Sequence, residues 1–595
     1  MTCDTFLTHN AQLSQDASME TTSRLLAALV NEGLVDFTVQ EIKSVSSLAL
    51  QCLGGQKNDS ACVIVPLRQG TKYKLAPPAM PDEAAVITPE LDPADIVGPV
   101  IIQHEVASNA AQQLEYRPEK VFDVVAPWIC NDQEVAAKLR GELENSADNQ
   151  EKWLQFALSH PPPALGSPLI VWEQHCIKGH PTHPMHRSFF ANPPLDPVIV
   201  DDVEKLLEAE IIIISVPRDR IHIDGTFEES LALLLQHLEV ATDAVSADQV
   251  LLPCFATQLP AIHKYFGLDA TRVPTRGEIR GQRQAAMRTI TIPGFPLHIK
   301  MALSYTITSA MRTMTPWTAR MCIEISQLLQ DIAPDPELLW IARKTAAACG
   351  ANTNFEDAKH LCVMLREDVE PRALALGQCL VLPATLFEID GKEHTAHAIK
   401  LFGLTTIEAR KAWFRQCVVP PLFISSYTRL YFQAILPPLL TYGICLEAHL
   451  QNVIARFDIE TGTLRGFVYR DMGGLRMHTP TMEARGVRVK SAELVPGSVI
   501  FTDDLEAVWI NAYHNFIANH LGGALRGMGL SWEGGWAIVR EELKSALDSS
   551  LEDKAPELLA FMLQPYLKRK AFLKMKLAGV YRTRVYSYLP NPLAV

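Results

Sequence analysis

The segment Ile211-Ile212-Ile213-Ile214-Ser215-Val216 is an almost unbroken β-branched run, and such a run prescribes a buried strand. Further strand signals are Ala61–Pro66, Leu251-Leu252 entering Pro253, and an alternating stretch over 286–300 that turns at Pro293-Gly294. Helical periodicity marks 20–54 through Leu25, Leu26, Leu29 and Val30. It marks 231–240 and 317–332 as well, and 133–160 as one or two amphipathic helices stopped by Pro161-Pro162-Pro163. Residues 304–314 read equally as strand or as the start of a helix. Residues 75–97, rich in Pro, Asp and Ala, predict a surface loop. Beyond about residue 390 the pattern is mostly helical, with a hairpin over 455–469 turning at Thr461-Gly462-Thr463. Strands and helices do not alternate as in a doubly wound sheet, so the fold class is α+β with mixed order.

A chain of 595 residues is too long for one core, and roughly two to four domains are expected. The proline run and the later helical pattern divide it into 1–165, 166–390 and 391–595. The formal charge of -13 is spread along the chain, which argues against a nucleic-acid partner, since phosphate binding needs clustered Lys and Arg. It leaves room for a small basic pocket. The twelve cysteines form no C-x-x-C pair and read as buried, reduced thiols. The N-terminus lacks a basic region followed by an apolar run. The longest apolar stretch, 430–446, is interrupted by Pro437, Pro438 and Gly443, too broken for a membrane helix. Cytoplasmic placement with no membrane partner is the expectation.

Neither Gly-x-Gly-x-x-Gly nor a Gly-x-x-x-x-Gly-Lys-Ser/Thr loop is present, so nucleotide chemistry would have to rest on cationic side chains. Four segments offer them or their partners. In Gly179-His180-Pro181-Thr182-His183-Pro184, two His-Pro steps stiffen the backbone and present two imidazoles to a carboxylate or phosphate; a rigid turn with solvated histidines is the plain alternative. Arg288, Lys300, Thr308, Ser309 and Arg312 supply forked, mobile and neutral donors that can wrap a triphosphate, or are simply surface cations. Glu447-Ala448-His449-Leu450-Gln451-Asn452, read as helical, places Glu447 and Gln451 on one face, and Arg470-Asp471 follows a hairpin. Two carboxylates with amide oxygens suit Mg²⁺, and polar groups after so apolar a segment need partners. Lys568-Arg569-Lys570 opens a basic amphipathic helix running to Leu577, with a solvated face as the alternative.

Taken in order, these segments resemble the NRPS-independent siderophore synthetases of the aerobactin-synthetase (IucA/IucC) type. The resemblance spans roughly residues 90–595. It rests on His-Pro-x-His-Pro at His180 to Pro184, on Lys300 with Thr308-Ser309-Ala310-Met311-Arg312-Thr313, on Glu447, His449, Gln451 and Asn452 with Arg470-Asp471, and on Lys570 with Asn591-Pro592-Leu593. It implies a three-part, hand-like fold of thumb, fingers and palm, use of ATP and Mg²⁺, a citrate-like acid, an acyl-adenylate intermediate, an amine, amino acid or alcohol co-substrate, and a homodimer. It assigns Arg288, Lys300, Thr308, Arg312 and Gln451 to ATP. It assigns His180, His183, Arg187, His449 and Lys570 to the acid, with His449, Arg312 and Lys570 catalytic and Glu447 and Asp471 near the metal. The chain departs from the family pattern at Arg187, Phe189 and Ala191, which stand where Lys, Arg and Gly are usual, and at Ala286, which stands where Ser is usual. The activity implied is an ATP-dependent carboxylate–amine ligase forming AMP and pyrophosphate. The alternatives are a non-catalytic binder of citrate or an iron chelate, and a kinase-like phosphotransferase.

Overall fold

The computed structural model describes residues 3–42, 45–53, 61–76, 86–104, 111–240, 246–267, 270–275, 277–333, 335–389, 395–415, 417–419, 422–424, 427–494, 498–580 and 585–594. It opens on a long helix, Cys3–Asn31, that packs along a second, Gln133–Ser159. The first helix stops where Gly33 takes a left-handed φ of 64° and the Leu34 N–H returns to the Leu29 carbonyl. Helical periodicity therefore ends there. Beyond it, the described residues of 20–54 hold two strands, Asp36–Ile42 and Val45–Gln51, of a five-stranded antiparallel sheet. The second helix is one piece, capped by Asp132, whose carboxylate accepts the Glu134 and Val135 N–H groups. Ala61–Pro66 is a strand of the same sheet. The predicted loop at 75–97 contains paired strands Lys74–Ala76 and Val86–Thr88; residues 77–85 of it lie outside the described residues.

The isoleucine run sits in Glu208–Pro217, deep in a nine-stranded antiparallel sheet. Its partners are Gln249–Phe255 on one side, and Ile279–Arg283 and Thr271–Arg272 on the other. The stretch 286–300 is a hairpin, as its alternation predicts: Thr289–Thr291 pairs with Leu297–Met301. The ambiguous 304–314 is a second, tight hairpin of Tyr305–Ile307 and Ala310–Met311. Trp317 and Ile332 bound most of a helix, Pro316–Ile332, with proline at its first position.

The C-terminal part holds more strand than its pattern suggests. Val453–Asp458 and Leu464–Tyr469 form the predicted hairpin inside a four-stranded sheet. The helix Tyr427–Tyr442 contains both Pro437 and Pro438 without being broken. One expected helix is absent, and another begins later than its pattern suggests. Residues 447–452 form a turn, and Tyr566–Lys570 is a strand paired with Tyr586–Pro590, followed by the short helix Phe572–Leu577. No helix among the described residues is long and apolar enough to cross a membrane. The ten described cysteines carry no disulfide.

Candidate active site

A cavity of about 990 Å³ opens where the N-terminal helix, the nine-stranded sheet and the C-terminal part meet. Its described lining carries twelve Lys and Arg against seven Asp and Glu, in a chain whose net charge is -13. The basic pocket permitted by the dispersed acidity therefore exists.

The sheet supplies one wall. Its hairpin brings Arg288 and Lys300 to the cavity, and the tight hairpin, part of a separate three-stranded sheet with Phe189–Ala191, brings Thr308 and Arg312. Thr308 takes a left-handed φ of 60°, a strained choice for a β-branched residue, at the tip of the tight hairpin. Its hydroxyl and the Ile307 carbonyl accept from Arg312 Nη2 at 3.3 and 3.1 Å. Arg288 Nη1 donates to the Arg312 carbonyl at 3.1 Å and to the Thr313 carbonyl, so its guanidinium braces the backbone that follows the tight hairpin. Lys300, 4% exposed, places Nζ 2.7 Å from Asp471 Oδ2. Burial lowers the Lys300 pKa although Asp471 opposes it. Burial alone would raise the Asp471 carboxyl, but Lys300 and Lys344 outweigh that and hold it well below the usual carboxylate range.

The opposite wall follows the strand Leu464–Tyr469. Arg470 is buried and bonds both oxygens of Glu173, while its Nε and Nη2 donate to the Gln451 carbonyl at 3.0 and 2.7 Å. It fastens the 447–452 turn instead of facing solvent. The Glu447 N–H donates to Tyr469 Oη at 3.1 Å, and Asn452 Nδ2 donates to the Glu447 carbonyl and to Oε2 at 3.2 and 3.3 Å. The Glu447 carboxylate fills the place a side chain at Gly474 would need: a Cβ there would sit 2.0 Å from it. The Ala448 carbonyl accepts from Tyr431 Oη and, at 3.1 Å, from His520 Nδ1. His520 belongs to the wide helical segment Tyr513–Leu521, and its Nε2 accepts from Tyr427 Oη at 2.9 Å.

These supports fix His449. Its Nδ1 accepts the Gln451 N–H at 3.2 Å, so in the neutral ring Nε2 carries the proton. Burial lowers its pKa despite Glu447 and Asp471 nearby, so the ring is a neutral donor on the cavity wall. His180 is arranged alike: Nδ1 accepts the Thr182 and His183 N–H groups at 3.3 and 3.2 Å, and burial, with His449 and Lys570 adding to it, brings its pKa to about 3.

The structure brings Arg288, Lys300, Thr308, Arg312 and Gln451 onto one cavity with Glu447, His449 and Asp471. His180, Arg187 and Lys570 line it too. His183 lies behind the wall: its Nδ1 accepts the Met185 N–H at 3.0 Å and its Nε2 bonds Ser309 Oγ, which ties the His-Pro loop to the tight hairpin. Arg187 stacks 3.9 Å over Trp153 and commits Nε and Nη2 to the Ile177 and Cys176 carbonyls, so most of its guanidinium braces the loop. Phe189 packs edge-on to Tyr305 at 5.0 Å in the sheet core, away from the cavity, whereas Ala286 is on the lining.

Sequence reasoning passed over several lining residues. Arg366 donates to Gln284 Oε1 at 2.7 Å and His298 Nδ1 at 2.8 Å. Arg24 and Lys178 both pair with Glu20, and Arg526 pairs with Asp92. None carries a local pattern that separates it from an ordinary surface cation; tertiary packing alone assembles them.

With this geometry the chain can be set beside known proteins. The model described as "IucA / IucC family" matches residues 168–388, and one described as "Ferric iron reductase FhuF-like transporter" matches 421–584. Over 580 residues the chain is 33% identical to the NRPS-independent siderophore synthetase-like protein ankE of Aspergillus thermomutatus, covering 95% of this chain and 91% of that protein. The chain belongs to the IucA/IucC family of NRPS-independent siderophore synthetases. Within the family it is 28% identical to the siderophore synthetase rfs of Rhizopus delemar over 79% of its length and 74% of that protein. It is 22% identical to the D-ornithine–citrate ligase of Staphylococcus aureus over 96% and 92% of the two chains. Among solved structures it matches AsbB of Bacillus anthracis with a TM-score of 0.73 at 15% identity, covering 98% and 96%. It matches ATP-bound aerobactin synthetase IucA of Klebsiella pneumoniae with 0.70, also at 15%, covering 96% and 99%. The hand-like α+β fold is thus that of these synthetases. The segment of the FhuF-like match, 421–584, contains one cysteine, Cys445, where a cluster held wholly by thiolates takes about four.

Proposed function

We propose that the chain is an ATP-dependent ligase that adenylates a carboxylic acid, citrate or a close relative, and condenses it with an amine, amino acid or hydroxyl in siderophore or specialised-metabolite biosynthesis. The observation that carries the reading is one cavity in which Arg288, Lys300 and Arg312 share the lining with His449 and Asp471. The chain's likeness to a siderophore synthetase and to a D-ornithine–citrate ligase supports it.

In this reading the triphosphate lies over Arg288, Lys300, Thr308 and Arg312. A carboxylate oxygen of the acid attacks the α-phosphorus; the bond to the bridging oxygen breaks, and pyrophosphate leaves with the electron pair. The amine or hydroxyl then attacks the acyl carbon, AMP leaves, and the nucleophile's proton passes to solvent. Neutral His449 and His180 donate hydrogen bonds from Nε2, and Lys570 supplies the cation for the acid's other carboxylates. The contribution of these residues is positioning and fixed charge.

Glu447 and Asp471 fit a Mg²⁺ ion: both are wall carboxylates, both act on His449, and a Mg²⁺ that shares phosphates needs only one or two protein carboxylates. Lys300 holds Asp471 Oδ2, the Gly473 N–H donates to Oδ1 at 3.2 Å and Asn452 to Glu447 Oε2 at 3.3 Å, so the ion would take Glu447 Oε1 and the remaining lone pairs of Oδ1 and Oε2. When bound, the ion would neutralise phosphate charge.

The test is to incubate the protein with ATP, citrate and a panel of amines, amino acids and alcohols, then to separate nucleotides and weigh products. AMP, pyrophosphate and an amide or ester of matching mass are expected. ADP with a phosphorylated product would replace the reading by phosphoryl transfer, and citrate retention without nucleotide turnover would replace it by a binder.

A further inference from the structure

Lys570 sits where the chain crosses between two hydrophobic cores. Leu567, on its strand, packs in the core of the C-terminal part, and Leu573 packs in that of the N-terminal part. Among the described residues, three carboxylates of the N-terminal part fasten this crossing. Glu90 takes Arg569, the neighbour of Lys570, on both oxygens at 2.8 and 3.4 Å. Glu32 takes the Leu573 N–H on Oε1 at 3.0 Å and the Lys574 N–H on Oε2 at 2.7 Å. Glu142 takes Lys576 Nζ at 2.6 Å. Between them, the Phe572 ring lies 5.2 Å from His180 and 4.7 Å from His183, centroid to centroid.

We propose that Glu32 and Glu90 are positioning residues that set Lys570 against the acid substrate, so that the N-terminal part tunes acid affinity through a lysine it does not contain. The inference rests on the reading that Lys570 meets the acid. Two facts support it beyond proximity. The clamps bracket Lys570 at one residue before it and at three and four residues after it, which leaves the lysine backbone little latitude. Glu32 is also expensive to keep: it is 7% exposed, and burial raises its carboxyl to about 7. A neutral residue there would spare the fold that desolvation, and a buried acid held for its geometry accounts for the expense.

The test is a set of mutant cycles on the full chain, with citrate as the acid and pyrophosphate release as the readout. Glu32→Gln and Glu90→Gln should each raise the citrate KM about tenfold, with the KM for ATP unchanged. In a Lys570→Ala background the same changes should add less than about twofold, because the residue they position is gone. A merely structural role would instead move both KM values, and equally in both backgrounds; that result overturns the inference. If Lys570→Ala itself leaves the citrate KM unchanged, the reading of Lys570 as an acid contact is what fails. Amide hydrogen exchange gives a readout that needs no turnover. Segment 566–577 should exchange faster in both Gln variants, and unchanged exchange in a folded variant also overturns the clamp. Glu90, whose side chain is 27% exposed, serves if the Glu32 variant does not fold.

Discussion

Lys300 Nζ and Asp471 Oδ2 lie 2.7 Å apart and join the nine-stranded sheet to the strand-end loop of the opposite wall. The two residues are 171 positions apart in the chain. Both residues line the cavity, and the lysine is almost sealed from solvent.

Lys300→Ala should therefore fail twice. It removes a cation that the proposed function sets against the phosphates, which should cost ~10²–10³ in turnover. It also leaves Asp471 on the cavity lining without its main partner, a loss of about 3 kcal/mol in stability. Steady-state kinetics and urea unfolding check the two effects. Unaltered turnover in a destabilised protein would make the pair structural only.

Gly474→Ala should act through Glu447. The new Cβ would stand 2.0 Å from the Glu447 carboxylate, which must swing away. If Glu447 holds Mg²⁺, the Mg²⁺ concentration for half-maximal activity should rise about tenfold, the loss typical of disturbed metal ligation. Mg²⁺ titration of the two proteins checks this. An unchanged midpoint would remove Glu447 from the metal set.

His520→Phe should lower turnover without touching substrate. It deletes the donor to the Ala448 carbonyl, one residue before His449, and strands Tyr427 Oη. A loss of about tenfold in kcat is expected from misplacing His449, with the KM for ATP little changed.

Stability should depend on pH through His180. Its pKa of about 3 lies below the ordinary 6.5, so the unfolded chain takes the proton first as the pH falls. The contribution is complete above pH 6.5 and is lost progressively toward pH 3, up to about 5 kcal/mol at the limit. Thermal unfolding from pH 7.5 to 5 should show a falling Tm, and His180→Asn should flatten part of that slope.

Much of this was legible locally. The isoleucine run is a core strand, the alternation at 286–300 is a hairpin, and His180 of the His-Pro loop lines the cavity. What was missed depends on distant partners. Helical period in Leu25 to Val30 said nothing about Gly33, whose left-handed turn gives way to strands. The i, i+4 spacing of Glu447 and Gln451 suggested a helix, but Arg470, Tyr431 and His520 hold a turn there instead. Lys568 to Lys570 read as helical because their strand partner, Tyr586–Pro590, lies beyond any local window. That His183 faces Ser309 and not the cavity follows from where the tight hairpin docks.

The central claim is adenylation of a carboxylic acid over the Arg288–Arg312 wall, and carboxylate-dependent pyrophosphate release from ATP tests it most directly. The wild-type protein should release pyrophosphate only when citrate or another accepted acid is present, and Arg312→Ala should lose that release by ~10²–10³. Full acid-dependent release from Arg312→Ala would contradict the placement of the site. No acid-dependent release from the wild-type protein with any acid of the panel would contradict the reaction itself.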